Sequence, residues 1–191
     1  MMNHIQQRSF IAHVRSTTEG YEGYLDFAKI VPKKGSAARV ADDWMIVTSL
    51  QATREPHYFW FRCMEEQRSG ARYYDIQSWS RRTGRDFNAK SRYLDLGNSG
   101  YAGLYDQQVG HDRLWSVMTL KDDEFISVGD ELNVGQAIPA QFWTCTNQVL
   151  CAYKRETVAE HWFAYAASSG GPILALSLEI THIGEELLDD H

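Results

Sequence analysis

"SRYLDLGNSGYAGLYDQQVGHDRLWSV", residues 91–117, sets the terms for the fold. "RYLDL" alternates polar and apolar side chains, the period of a half-buried strand. The Gly-Asn-Ser-Gly run that follows supplies residues that tolerate a tight reversal. "AGLYD" and "RLWSV" then read as two more short strands. So much strand in so short a span implies a β fold joined by compact turns.

The same grain runs along the whole 191-residue chain. "RSFIAHV", "GYLDFAKIV", "DWMIVTSL", "HYFWFRCM", "RYYDIQSW", "EFISV", "ELNV", "QFWTCT", "QVLCAYK" and "PILALSLEI" recur between Gly, Asn, Asp and Ser turns, the pattern of an all-β sandwich or barrel. Aromatic residues make up 13%, with 6 Trp and 10 Tyr, an excess that fits strands or a stacking surface. "ETVAEHWFAYAA", 156–167, contains helix-favouring Ala and Glu, and Val158, Trp162 and Tyr165 would share a helical face. It also works as strand, which is the reading adopted. No Pro-rich or Ser-rich linker divides the chain, so residues 1–191 read as a single domain. It would carry a polar excursion at about 65–92 and a short flexible tail, "GEELLDDH".

A net charge of −6 argues against a nucleic-acid binder, which needs a basic footprint. Arg68, Arg72, Arg81, Arg82, Arg85, Lys90 and Arg92 form a local basic cluster, read as a solvated loop face. The amino-terminal stretch lacks the basic-then-apolar order of a secretory signal, and no apolar run approaches the ~18 residues of a membrane span. A cytoplasmic protein without membrane insertion is therefore expected. Cys63, Cys145 and Cys151 form no C-x-x-C pair and no even framework, which suits a reducing compartment. No metal or cofactor is predicted.

Internal repetition narrows the architecture. "GYLDF" (23–27), "DDW" (42–44) and "YFWF" (58–61) resemble "RYLDL" (92–96), "RLW" (113–115) and "EFISV" (124–128). A degraded third copy is "QVLCA" (148–152), "EHW" (160–162) and "PILAL" (172–176). Three copies of about four strands each give the size and pseudo-threefold symmetry of a β-trefoil. Trp44, Trp115 and Trp162 are expected to plug its core.

"YLDL", "GNSG", "AGLYDQQ" and "HDRLW" also follow one another as in the ricin-B-type β-trefoil lectins, which the stretch 91–117 resembles. The Q-x-W triplets "QSW" (77–79) and "QFW" (141–143) add to the likeness. The resemblance implies that Asp95 accepts hydrogen bonds from sugar hydroxyls, that Tyr105 stacks on the sugar, and that Asp112 adds a further hydrogen bond. The turn from Asn98 to Tyr101 would wall the pocket. Arg113 stands where the family has Gln, Asp112 where it has Asn, and Tyr93 where secreted members often have Cys. Arg113 remains a possible donor, while Asp95 could instead pair with Arg113 or cap the turn. In the first copy Asp26 and Asp42 take the equivalent positions; in the third the acceptor position is Cys151.

Cys145 and His161 raise an enzymatic alternative, because a hairpin could bring them together as nucleophile and base. Their spacing is similar to that in bacterial glutamine deamidases of the cytotoxic-necrotising-factor type, although Thr144 replaces the Gly before the cysteine. Two buried cysteines on one strand face are the reading preferred for Cys145 and Cys151. The expectation is a non-catalytic protein that binds a carbohydrate or glycoconjugate, with a homo-oligomer left open. A thiol enzyme and a protein-binding β-trefoil, an inhibitor or immunity factor, are the alternatives.

Overall fold

The computed structural model describes residues 1–50, 55–83, 90–106 and 113–184. Its first strands are β1 (Met2–His4), β2 (Phe10–Ser16), β3 (Gly23–Lys33), β4 (Ser36–Thr48) and β5 (Tyr58–Glu66). β6 (Arg72–Ser78) follows, then the short helix α1 (Trp79–Thr83), β7 (Tyr93–Leu96), β8 (Ala102–Tyr105), β9 (Ser116–Lys121) and β10 (Glu124–Ser127). The last four are β11 (Ala137–Trp143), β12 (Cys151–Val158), β13 (His161–Ala167) and β14 (Leu176–Ile183). The fold is all-β. Among the described residues, no helix is long and apolar enough to cross a membrane.

Six of these strands close a ring. β2 pairs with β14 and β5, β5 with β6, and β6 meets β9 through a Tyr74–Trp115 bridge. β9 then pairs with β11, and β11 returns to β14. The β6–β9 junction rests on that bridge alone, with the Tyr74 and Trp115 N–H groups each donating to the other's carbonyl. The ring's interior is filled by alternate side chains, including Phe10, Phe61, Tyr74, Trp115 and Phe142, all buried. Phe10 and Phe61 stack 4.6 Å apart and nearly parallel, an arrangement contributing about 0.5–1.5 kcal/mol beyond the area it buries.

Three hairpins, β3–β4, β7–β8 and β12–β13, leave the ring and meet one another. β4 pairs with β13 along Ile46–Thr48 and with β8 at Trp44 and Gly103, while Tyr101 bridges to Ala167. Leu25, Leu94 and Leu150, which open the three repeats expected from the sequence, are all buried where the hairpins begin.

The tryptophans do not share one role. Trp115 is buried and donates its indole N–H to the Leu94 carbonyl at 2.9 Å. Trp162 is half-buried at the core margin, and Trp44 is 39% exposed on β4. The expected core plug therefore holds for Trp115 and fails for Trp44, because Trp44 lies where two hairpins join rather than inside the ring. Residues 156–167 are strand, as expected, spanning the end of β12, its turn and β13. Within the polar stretch 65–92, "RYYDIQS" is the ring strand β6. Arg85 and most of the carboxyl-terminal tail lie outside the described residues.

Candidate functional site

The two repeat aspartates are built alike. On β3, the Asp26 carboxylate accepts the Phe27 N–H at 2.8 Å and pairs with Arg39, whose Nη2 donates to Oδ1 at 2.7 Å. On β7, the Asp95 carboxylate accepts the Leu96 N–H at 2.8 Å and pairs with Arg113. Their side chains are only 15% and 13% exposed. Asp95 thus both caps its own backbone and pairs with Arg113.

Asp26 is sealed further by His57, whose side chain is 6% exposed and whose Nδ1 lies 3.4 Å from Oδ1. Burial alone would raise the Asp26 pKa, but the hydrogen bonds from Arg39 and His57 outweigh it and hold the carboxyl well below the usual carboxylate range. Burial pushes the His57 pKa down despite that carboxylate, and the Arg39 and Arg81 charges push the same way. The other ring nitrogen, Nε2, is 2.7 Å from the Ser78 hydroxyl, which also accepts the Arg81 N–H. Ser78 therefore donates to a neutral imidazole that carries its proton on Nδ1. Ser, His and Asp stand in relay, but Ser78 is fully buried and caps α1. The role of open sugar acceptor does not fit Asp26, because Arg39 and His57 occupy its oxygens.

An open cavity of about 620 Å³ lies where the first and second hairpins join, lined by Asp42, Asp43, Trp44, Ser91, Gly103, Leu104, Tyr105, Asp106 and Arg113. Its volume is within the range of small-molecule sites. Three of the residues singled out in the sequence, Asp42, Tyr105 and Arg113, line it together, although sequence spacing assigned Asp42 to a different lobe. Asp95 stands behind Arg113 and holds its guanidinium. Asn98 is exposed in the β7–β8 turn, outside the lining. Tyr101 packs against Trp44, Tyr153 and Tyr165, with centroids 6.1, 5.3 and 6.0 Å away, and its hydrogen bond to Tyr153 raises its pKa. Burial raises the Tyr105 pKa, so its hydroxyl is protonated at neutral pH. Asp112 lies outside the described residues.

Spacing did not reveal Trp44, Asp43, Ser91 or Asp106 as lining residues. The signal was the polar pair in "DDW", which exposes that part of β4 and the indole after it. Gly103 makes room for the ring: a Cβ there would lie 3.2 Å from Trp44 Cε3 and 3.0 Å from the Asp43 carbonyl oxygen. Asp43 pairs with Arg81, which also donates to the Asp42 carbonyl. Ser91 donates its hydroxyl to Asp106 at 2.7 Å. Among the described residues, no group of three or more His, Cys, Asp or Glu side chains is arranged to hold a metal ion.

The Cys145 and His161 alternative gains no geometry. Cys145 is exposed in the turn before β12, closed by the Thr144 N–H to the Gln148 carbonyl, rather than buried on a strand with Cys151. His161 sits opposite Val158 at the far turn of the β12–β13 hairpin. Between Cys151 and that turn runs roughly 20 Å of strand at about 3.3 Å per residue. The basic cluster is likewise dispersed. Arg72 pairs with Asp130 and Arg81 with Asp43, while Arg82 lies over Trp60 and Trp79. No protein-family model matches the chain, and comparison with curated proteins and with solved structures gives no match.

Proposed function

We propose that the chain is a β-trefoil that binds carbohydrate in the cavity between its first and second hairpins. The trefoil reading is supported by the six-strand ring, the three hairpins that meet beside it, and the recurrence of Leu25, Leu94 and Leu150 at the hairpin starts.

One observation carries the carbohydrate reading: Trp44, 39% exposed, lies in a cavity otherwise lined largely by hydrogen-bonding side chains. A pyranose offers C–H bonds on one face and hydroxyls around its rim, so it needs an aromatic surface and a few fixed polar groups. Trp44 supplies the surface. The Asp42 and Asp106 carboxylates accept hydrogen bonds from hydroxyls, and Arg113, held by Asp95, donates them.

A glycan array compares wild type with Trp44→Ala and Asp95→Ala, with folding checked by circular dichroism. Wild type is expected to retain a defined set of glycans. Trp44→Ala should lose them, and Asp95→Ala should weaken them by releasing Arg113. Absence of any wild-type binding, or undiminished binding by Trp44→Ala, overturns the proposal.

A further inference from the structure

The cavity lining is electrically unbalanced. Arg113 is matched by Asp95 and Asp43 by Arg81. Asp42 and Asp106 remain: among the described residues neither carboxylate forms a salt bridge, and Arg81 reaches only the backbone carbonyl of Asp42. Asp42 Oδ1 accepts the neighbouring Asp43 N–H, and Asp106 Oδ1 accepts the Ser91 hydroxyl, both neutral donors. The net charge of −6 adds to the local field.

We infer that the glycan taken by this cavity carries a protonated amine, so that an amino sugar is preferred over a neutral or acidic one; this rests on the carbohydrate reading above. The three parts of the site act together on such a ligand. The exposed indole of Trp44 attracts a cation through its ring quadrupole as well as the sugar's C–H face. Asp42 and Asp106 give charge-assisted hydrogen bonds to an ammonium, which are shorter and stronger than those to a hydroxyl. A uronic or sialic acid would instead meet two carboxylates with its own negative charge.

Isothermal titration calorimetry with β-1,4-linked glucosamine oligomers, their N-acetylated counterparts and glucose oligomers of equal length separates the possibilities. N-acetylation keeps the sugar scaffold and removes the charge. The amine form should bind about tenfold or more tightly than either neutral form, the order of one hydrogen bond to a charged group. The double variant Asp42→Asn/Asp106→Asn should bring the ratio towards unity. Both residues are accessible to solvent, so the variant is expected to fold, and its thermal melt checks this. Equal or tighter binding of a neutral form overturns the amine inference and leaves the carbohydrate reading standing. No binding by any of the three overturns the amine inference, and the carbohydrate reading falls with it where the glycan array also finds no ligand. Amine binding that persists undiminished in both the double variant and Trp44→Ala places the interaction elsewhere and also overturns the inference.

Discussion

Replacing His57 with Asn should remove a pH dependence from stability. In the native fold the imidazole is almost fully buried, donates to Asp26, accepts from Ser78 and faces the cations Arg39 and Arg81. A second ring proton, on Nε2, would be buried away from water, would force the Ser78 hydroxyl proton out of that contact, and would face like charge. The folded-state pKa is therefore depressed below the ordinary value of about 6.5, and the unfolded chain binds a proton that the native state refuses. The sign follows: this contribution to stability is complete above pH 6.5 and declines as pH falls, at up to about 1.4 kcal/mol per pH unit, until the folded-state pKa is reached. Between pH 7 and 5 the loss is at most about 2 kcal/mol, or roughly 4–8 °C in Tm for a chain of this size. Asp26 stays ionised across this window, because its own pKa is depressed and its contribution declines only below about pH 4. Urea unfolding of wild type and His57→Asn at half-unit intervals of pH cancels the other histidines, which both proteins share. His57→Asn should be less stable at pH 7, and the gap should narrow by up to about 2 kcal/mol by pH 5. A gap that stays constant from pH 7 to pH 5 would refute the assignment of a neutral, proton-refusing His57.

Two further outcomes follow from contacts elsewhere. Gly103→Ala places a methyl against Trp44 and the Asp43 carbonyl, an overpacking that should cost about 1–3 kcal/mol in urea unfolding and shift Trp44 fluorescence; an unchanged midpoint would contradict the close approach. Brief iodoacetamide treatment of the native protein, read by peptide mass spectrometry, should modify Cys145 ahead of Cys63 and Cys151. Cys63 is buried and its thiol is pushed up to about 11, chiefly by that burial; labelling of Cys63 at the rate of Cys145 would refute this ordering.

What could be read from the sequence was local in origin. Leu25, Leu94 and Leu150 disclosed themselves because each opens a strand whose alternation is written in adjacent residues. The Asp95–Arg113 pair could be anticipated, since the same stretch contains both partners. Arg39 could not be matched to Asp26 in the same way. That contact depends on a bulge between Phe27 and Ala28 that no distinctive residue marks, although Gly35 marks the turn of the β3–β4 hairpin. Trp44 was misplaced for a related reason. The polar Asp42–Asp43 pair before it marks the exposure, but the close approach that seats the ring comes from Gly103, which belongs to another hairpin. The cavity was invisible as a unit because its two walls come from different hairpins.

The pairing of β2 with β14 sets an order on synthesis. Phe10 lies opposite Ile183 and Ser16 opposite Leu176, so the ring is completed by the strand that leaves the ribosome last among those described. Until then β2 can pair with β3 and β5, but its remaining flank stays open. Such distant partners imply slow folding, since the entropy of closing the longest loop must be met before its contacts form. A chain stalled before residue 176 would present an unsatisfied β2 edge to its neighbours, the state in which a nascent sheet is most exposed to pairing with the wrong molecule.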